Sequence, residues 1–101
     1  MDDQTWVRLV FFDTKGKEFA IFPNPFLNQF SIQSYDEGDL KMVLIDAMGR
    51  ITYEENLGYS SGSGEIFNIN LGDDGISPGV YSIQIHNEHV IKSFRIVKAR
   101  L

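Results

Sequence analysis

The chain has 101 residues, 43% hydrophobic and 13% aromatic, with a net charge of −5 and no cysteine. That length fits one domain with its own core. The composition excludes a disordered chain, and the missing cysteines exclude a disulfide frame or a thiolate metal site. Residues 1–88 carry five Lys/Arg against fourteen Asp/Glu, while residues 89–101 carry Lys92, Arg95, Lys98 and Arg100 and no acid. So acidic a body excludes general nucleic-acid binding.

In chain order, Met1-Asp2-Asp3-Gln4 lacks the basic end and apolar stretch of a signal peptide. An exported parent would therefore begin further upstream. No apolar run approaches the ~18 residues of a membrane-spanning helix. Trp6–Phe12 and Glu18–Phe22 read as a strand pair closed by Asp13-Thr14-Lys15-Gly16. Phe30, Ile32 and Ser34 alternate with Ser31 and Gln33, the period of a half-buried strand. Leu40–Asp46 and Ile51–Glu55 form a hairpin through Ala47-Met48-Gly49-Arg50, and Gly58–Gly64 reads as a flexible crossing loop. Phe67, Ile69 and Leu71 alternate with asparagines, and Gly72–Gly79 is a second long loop. Tyr81, Ile83 and Ile85 mark the next strand, and Asn87-Glu88 its turn. His89–Lys98 is the last strand, with Val90, Phe94 and Ile96 on one face.

No window carries a helical stripe. Seven to eight short strands separated by turn signals predict an all-β fold, an antiparallel β-sandwich with Ig-like topology. Phe30, Ile32, Leu44, Phe67, Ile69, Tyr81, Ile83, Ile85, Phe94 and Ile96 should fill the core.

The sequence offers no catalytic constellation. No serine sits in a nucleophile elbow. His86 and His89 flank a turn and read as exposed turn neighbours rather than metal ligands. The acidic stretches Asp36-Glu37-Gly38-Asp39 and Asp73-Asp74-Gly75 lack EF-hand spacing and read as turns. No cofactor and no small-molecule substrate is expected.

Four motifs follow one another: Ile21-Phe22-Pro23-Asn24-Pro25; Asp46-Ala47-Met48-Gly49-Arg50; Ile76-Ser77-Pro78-Gly79-Val80-Tyr81; and Lys92-Ser93-Phe94-Arg95-Ile96-Val97-Lys98. Their order resembles the C-terminal sorting domain of the type IX secretion system of Bacteroidetes, which reads YPNP, D-x-x-G-R, L-x-x-G-x-Y and a closing K-F-x-K-type strand. Phe22 replaces the usual Tyr, Ile76 replaces Leu, and Arg95 falls inside the closing motif. Each motif also has a folding task. Pro23 and Pro25 stop the preceding strand. The Asp46 carboxylate can tie its turn by accepting backbone or Arg50 hydrogens. Gly79 lets the chain turn tightly, and Tyr81 buries its ring while its hydroxyl needs a partner.

The resemblance implies domain boundaries: residues 20–101 as the sorting domain, and 1–19 as an N-terminal hairpin, either packed on the sandwich or left from an upstream domain. It implies a non-catalytic secretion signal that carries a larger cargo across the outer membrane. The recognition residues it implies are Pro23, Asn24, Pro25, Asp46, Gly49, Arg50, Gly79, Tyr81, Lys92, Phe94 and Lys98. It implies an outer-membrane translocon and a sortase as partners, with the periplasm in transit and the cell surface or medium as destination. A homodimer through edge strands or the N-terminal hairpin is open. So is an alternative function as an Ig-like binding or spacer module of a surface protein. The basic last strand reads either as a solvated face or as a recognition strand, with Lys92, Arg95 and Lys98 largely exposed.

Overall fold

Successive residues of a strand point to opposite faces, so each alternating run becomes a ribbon with one apolar side. The computed structural model describes residues 19–72, 75–88 and 91–100. The expected Trp6–Phe12 strand, Glu18, Asp73-Asp74, His89 and Val90 lie outside them. Seven strands occur among the described residues: β1 (Phe19–Phe22), β2 (Gln29–Ser34), β3 (Glu37–Ile45), β4 (Ile51–Ser61), β5 (Glu65–Asn70), β6 (Gly79–His86) and β7 (Ile91–Lys98). Two apolar-sided ribbons hide their faces best by stacking, and the chain divides into two sheets, ordered β1-β2-β5 and β4-β3-β6-β7. Every strand pair is antiparallel. The result is the antiparallel sandwich that the alternation predicts.

Register puts apolar residues opposite one another. Phe30 faces Ile69 and Ile32 faces Phe67 in the smaller sheet. In the larger, Met42 faces Ile85, Leu44 faces Ile83 and Tyr81 faces Ile96. Of the expected core, Phe67 and Phe94, on the edge strands β5 and β7, are only half-buried against it, whereas Ile69 and Ile96 on the same strands are fully buried. Phe19, Phe26, Leu40, Met42 and Leu71 join the core in addition.

The expected crossing loop Gly58–Gly64 is largely strand. β4 runs to Ser61 because Glu37–Leu40 continue the pairing with Gly58–Ser61. A bulge between Leu40 and Lys41 absorbs the extra residue, and Gly58 takes a φ of +93° there, which a side chain would resist. Only Gly62–Gly64 crosses between sheets. For the same reason Glu37–Asp39 opens β3 instead of forming an acidic turn.

The sheet-to-sheet crossings β2–β3 and β4–β5 share a polar corner. Ser34 is fully buried, donates its hydroxyl to the Asp36 carbonyl at 2.9 Å and accepts the Asp36 N–H at 3.2 Å. The Ser60 hydroxyl lies 2.8 Å from both Ser34 Oγ and the Asp36 carbonyl. The Gly64 N–H bonds the Ser34 carbonyl. Asn87 donates to the buried Asp36 carboxylate at 2.8 Å. The Ser61 N–H, 2.6 Å from Glu65 Oε1, holds the Glu65 carboxyl below its usual range. Buried polar groups of this kind stabilise only while every partner is present. Ser34→Ala should therefore lower unfolding free energy by about 1–3 kcal/mol, measured by urea denaturation. An unchanged midpoint would show that the corner carries no net stability.

Candidate functional site

β1 and β7 end, and β6 begins, at the same end of the sandwich, and the β3–β4 turn lies there too. This follows from the register, in which Gly79 faces Lys98 and Ile45 faces both Ser82 and Ile51. The fold thereby gathers Pro23, Asn24, Pro25, Asp46, Gly49, Arg50, Gly79, Tyr81 and Lys98 around one rim. Phe94 lies midway along β7. Lys92 stands apart: it faces Ile85, six residues or about 20 Å of strand from Lys98.

After β1 the chain leaves its own sheet and crosses to the outer edge of β7. Both X–Pro bonds, Phe22-Pro23 and Asn24-Pro25, are cis. Asn24 donates its side-chain amide to the Arg95 carbonyl at 3.2 Å and accepts the Val97 N–H at 2.9 Å. One carboxamide thus satisfies the donor and acceptor that a neighbouring strand residue would satisfy. Phe26 continues the pairing: its N–H bonds the Val97 carbonyl at 2.9 Å, and its carbonyl accepts the Ala99 N–H at 2.7 Å. Its ring is buried and meets Phe30 edge-on, 5.0 Å between centroids. The strap of residues 23–28 then returns through Asn28, whose carbonyl accepts the Leu71 N–H. The prolines supply no N–H to this exchange, so every edge bond falls to Asn24 and Phe26.

The Asp46–Arg50 turn is tied as its residues suggest. Asp46 Oδ1 accepts the N–H of Met48 and of Arg50, each at 2.9 Å, and Oδ2 accepts Arg50 Nε at 3.0 Å. Gly49 has a φ of +87°, which glycine adopts without cost. The Arg50 N–H, then the Met48 N–H and the guanidinium, hold the Asp46 carboxyl below its ordinary range.

Tyr81 is buried and donates its hydroxyl to the carbonyl of Ser77, four residues upstream. This is the tyrosine corner of Greek-key sandwiches, in which a tyrosine at the start of the penultimate strand bonds back across the preceding corner. Burial, and secondarily the Asp46 carboxylate, raise its phenol above the usual range. Ile76 packs against the core, half-buried. The Ile76–Tyr81 motif therefore serves the sandwich architecture itself.

The last strand differs from expectation. Lys92, Phe94, Ile96 and Lys98 share the core-facing side, whereas Ile91, Ser93, Arg95 and Val97 face out, as an alternation of two requires. The basic residues do not form one solvated face. Lys92 and Lys98 are half-buried and only Arg95 is exposed. Lys98 bonds the Leu27 carbonyl and lies 5.8 Å from the Phe26 ring centre. A long aliphatic stem can cover core edge while its ammonium reaches the rim, so a lysine at a core-facing position is not out of place.

Among the described residues the rim holds no nucleophile–base pair. No cluster of three or more His, Asp or Glu able to hold a metal occurs among the described residues. Its exposed groups include Pro23, Pro25, Met48, Arg50, Val80 and Arg95. Alternation could not find Phe26, whose burial comes from the strap, nor the Ser77 carbonyl that receives Tyr81.

Two outcomes follow from this geometry. Asn24→Ala should lower stability by about 1–2 kcal/mol through two lost hydrogen bonds and speed hydrogen exchange at the Val97 amide; exchange at the wild-type rate would mean that the strap does not hold the edge. For Asp46 the folded-state pKa lies below the unfolded value of about 3.9. Its contribution is thus complete above that value and is lost as pH falls through the lower folded one. Asp46→Asn should flatten this part of the acid-denaturation curve, followed by circular dichroism below about pH 4.

The sequence profile of the secretion system C-terminal sorting domain matches residues 20–99. No curated protein sequence matches the chain. Among solved structures, a chain of PorZ from Porphyromonas gingivalis is similar, with a TM-score of 0.57 and 20% identity over 81% of this chain. PorZ is described as an essential bacterial surface component of the type IX secretion system. The present chain spans 11% of that one, and the likeness is one of fold. The match of the family profile over residues 20–99, nearly the whole described sandwich, places this chain in the secretion system C-terminal sorting domain family.

Proposed function

We propose that the chain is a folded, non-catalytic address. It accompanies a larger cargo through the periplasm, is read by the outer-membrane translocon of the type IX system, and is then cut from the cargo by a surface sortase in the segment ahead of the sandwich. The family match over residues 20–99 carries this reading. The motif rim supports it: most of its named residues are spent on folding, and what remains for a partner is a defined shape with a few exposed side chains. Such a domain acts as ligand and as sortase substrate.

The tyrosine corner favours a second reading, since it occurs across Ig-like sandwiches whatever their task. In that case the chain is a binding or spacer module of a surface protein.

One experiment separates the two. A fluorescent reporter carrying an inner-membrane signal is fused ahead of residues 1–101 and expressed in a host with a type IX system. The sorting reading expects protease-accessible reporter at the surface or in the medium, and periplasmic retention when the host's translocon is deleted. Retention in both strains would leave the module reading.

A further inference from the structure

The last strand could be read along its backbone edge or through its side chains, and the strap decides between them. The outward carbonyl of Arg95, both backbone groups of Val97 and the N–H of Ala99 are already bonded to Asn24 and Phe26. A partner strand has little left to pair with on that stretch.

The outer face of the larger sheet is different. At the motif end its cross-strand neighbours are Ile45 with Ile51, Ser82 with Arg95, and Val80 with Val97. Ile51 and Val80 are 59% and 43% exposed. Pro25 and Asn24 border a shallow hollow whose other walls are Arg95 and Val97. Of the seven exposed large hydrophobics among the described residues, Leu27, Met48, Ile51 and Val80 lie at this end. An apolar patch of this kind, rimmed by polar groups, is the ordinary mark of an interaction surface.

Charge selects the occupant. Arg50 and Arg95 are exposed at this end, and the carboxylate of Asp46 there is engaged by Arg50. The chain's other acids leave the rest of the body negative. We propose that this outer face, centred on Val80, Arg95 and Val97, docks a polypeptide surface of the secretion machinery in which carboxylates alternate with apolar side chains. The inference rests on the sorting reading and specifies its contact. Contact is face-on, with arginine meeting carboxylate and Val80 meeting an apolar side chain, while the last strand's edge stays closed from Arg95 to Ala99.

The test uses the same reporter fused to residues 1–101. Arg95→Glu and Val80→Glu each reverse the chemistry of the patch without touching the core. Ile66→Glu is the control, on an exposed position of the other sheet. Each domain is also purified and its fold checked by circular dichroism and melting. The expected result is a tenfold or greater loss of surface reporter for the two patch variants, both folded, and wild-type export for Ile66→Glu. Folded patch variants exported like wild type would overturn the inference and leave the sorting reading intact. A wild-type fusion that is not exported would overturn the sorting reading itself. For the purified domain, a peptide of alternating Glu and Leu should shift the amide resonances of Val80, Arg95 and Val97, and a Lys-Leu peptide should not. Equal shifts from the Lys-Leu peptide, or shifts produced only by phosphatidylglycerol vesicles, would overturn the acidic-polypeptide assignment.

Discussion

The side chain of Asn24 stands in for a strand. A sandwich of two open sheets ends in edge strands whose N–H and C=O groups must be paired, covered or wet. At β7 the carboxamide of Asn24 and the backbone of Phe26 occupy the outward groups from Arg95 to Ala99. Much else follows from this closure. Phe26 is drawn beneath the core at the open end, where it meets Phe30. The Leu27 carbonyl is set where Lys98 reaches it. The prolines on either side of Asn24 keep the strap from becoming a strand of its own, so it lies across the gap between the sheets.

The four family motifs are therefore one structure seen in four places along the chain. The proline–asparagine strap closes the edge, the Asp46 turn and Tyr81 fix the neighbouring ends of β3 and β6, and the last strand receives the strap. Most of these residues spend their hydrogen-bonding groups inside the domain. A machine that reads such a domain meets the shape they hold, and the side chains left over: Val80, Arg95, Pro25 and their neighbours.

Where burial follows period two, the sequence is a direct guide. Ile83 and Ile85, or Phe30 and Ile32, are placed on the core side by alternation alone, and Asp46 with Arg50 announces its turn by chemistry. Other features depend on contacts that have no local pattern. Phe26 sits between a proline and a leucine with no periodic partner, and its burial exists only because the strap crosses to β7. The Gly58–Ser61 segment has the composition of a loop, but pairing with Glu37–Leu40 makes it strand. Lys92, Arg95 and Lys98 look like one basic face when counted by charge. Counted by parity they divide, two toward the core side and one away, so this part was legible had alternation been given precedence over charge.

The partners that complete the strap are separated from Asn24 by 71 and 73 residues. A chain made from its N-terminus holds Asn24 and Phe26 long before it holds Val97 and Ala99, and closing so large a loop comes late in folding. The lower end of the core can be sealed only when the final strand has been synthesised. A chain that lacked β7 would leave Phe26 without its backbone partners and the rim unfinished. The finished end of the sandwich therefore belongs only to chains that hold both the strap and β7, two segments that lie at opposite ends of the domain's sequence.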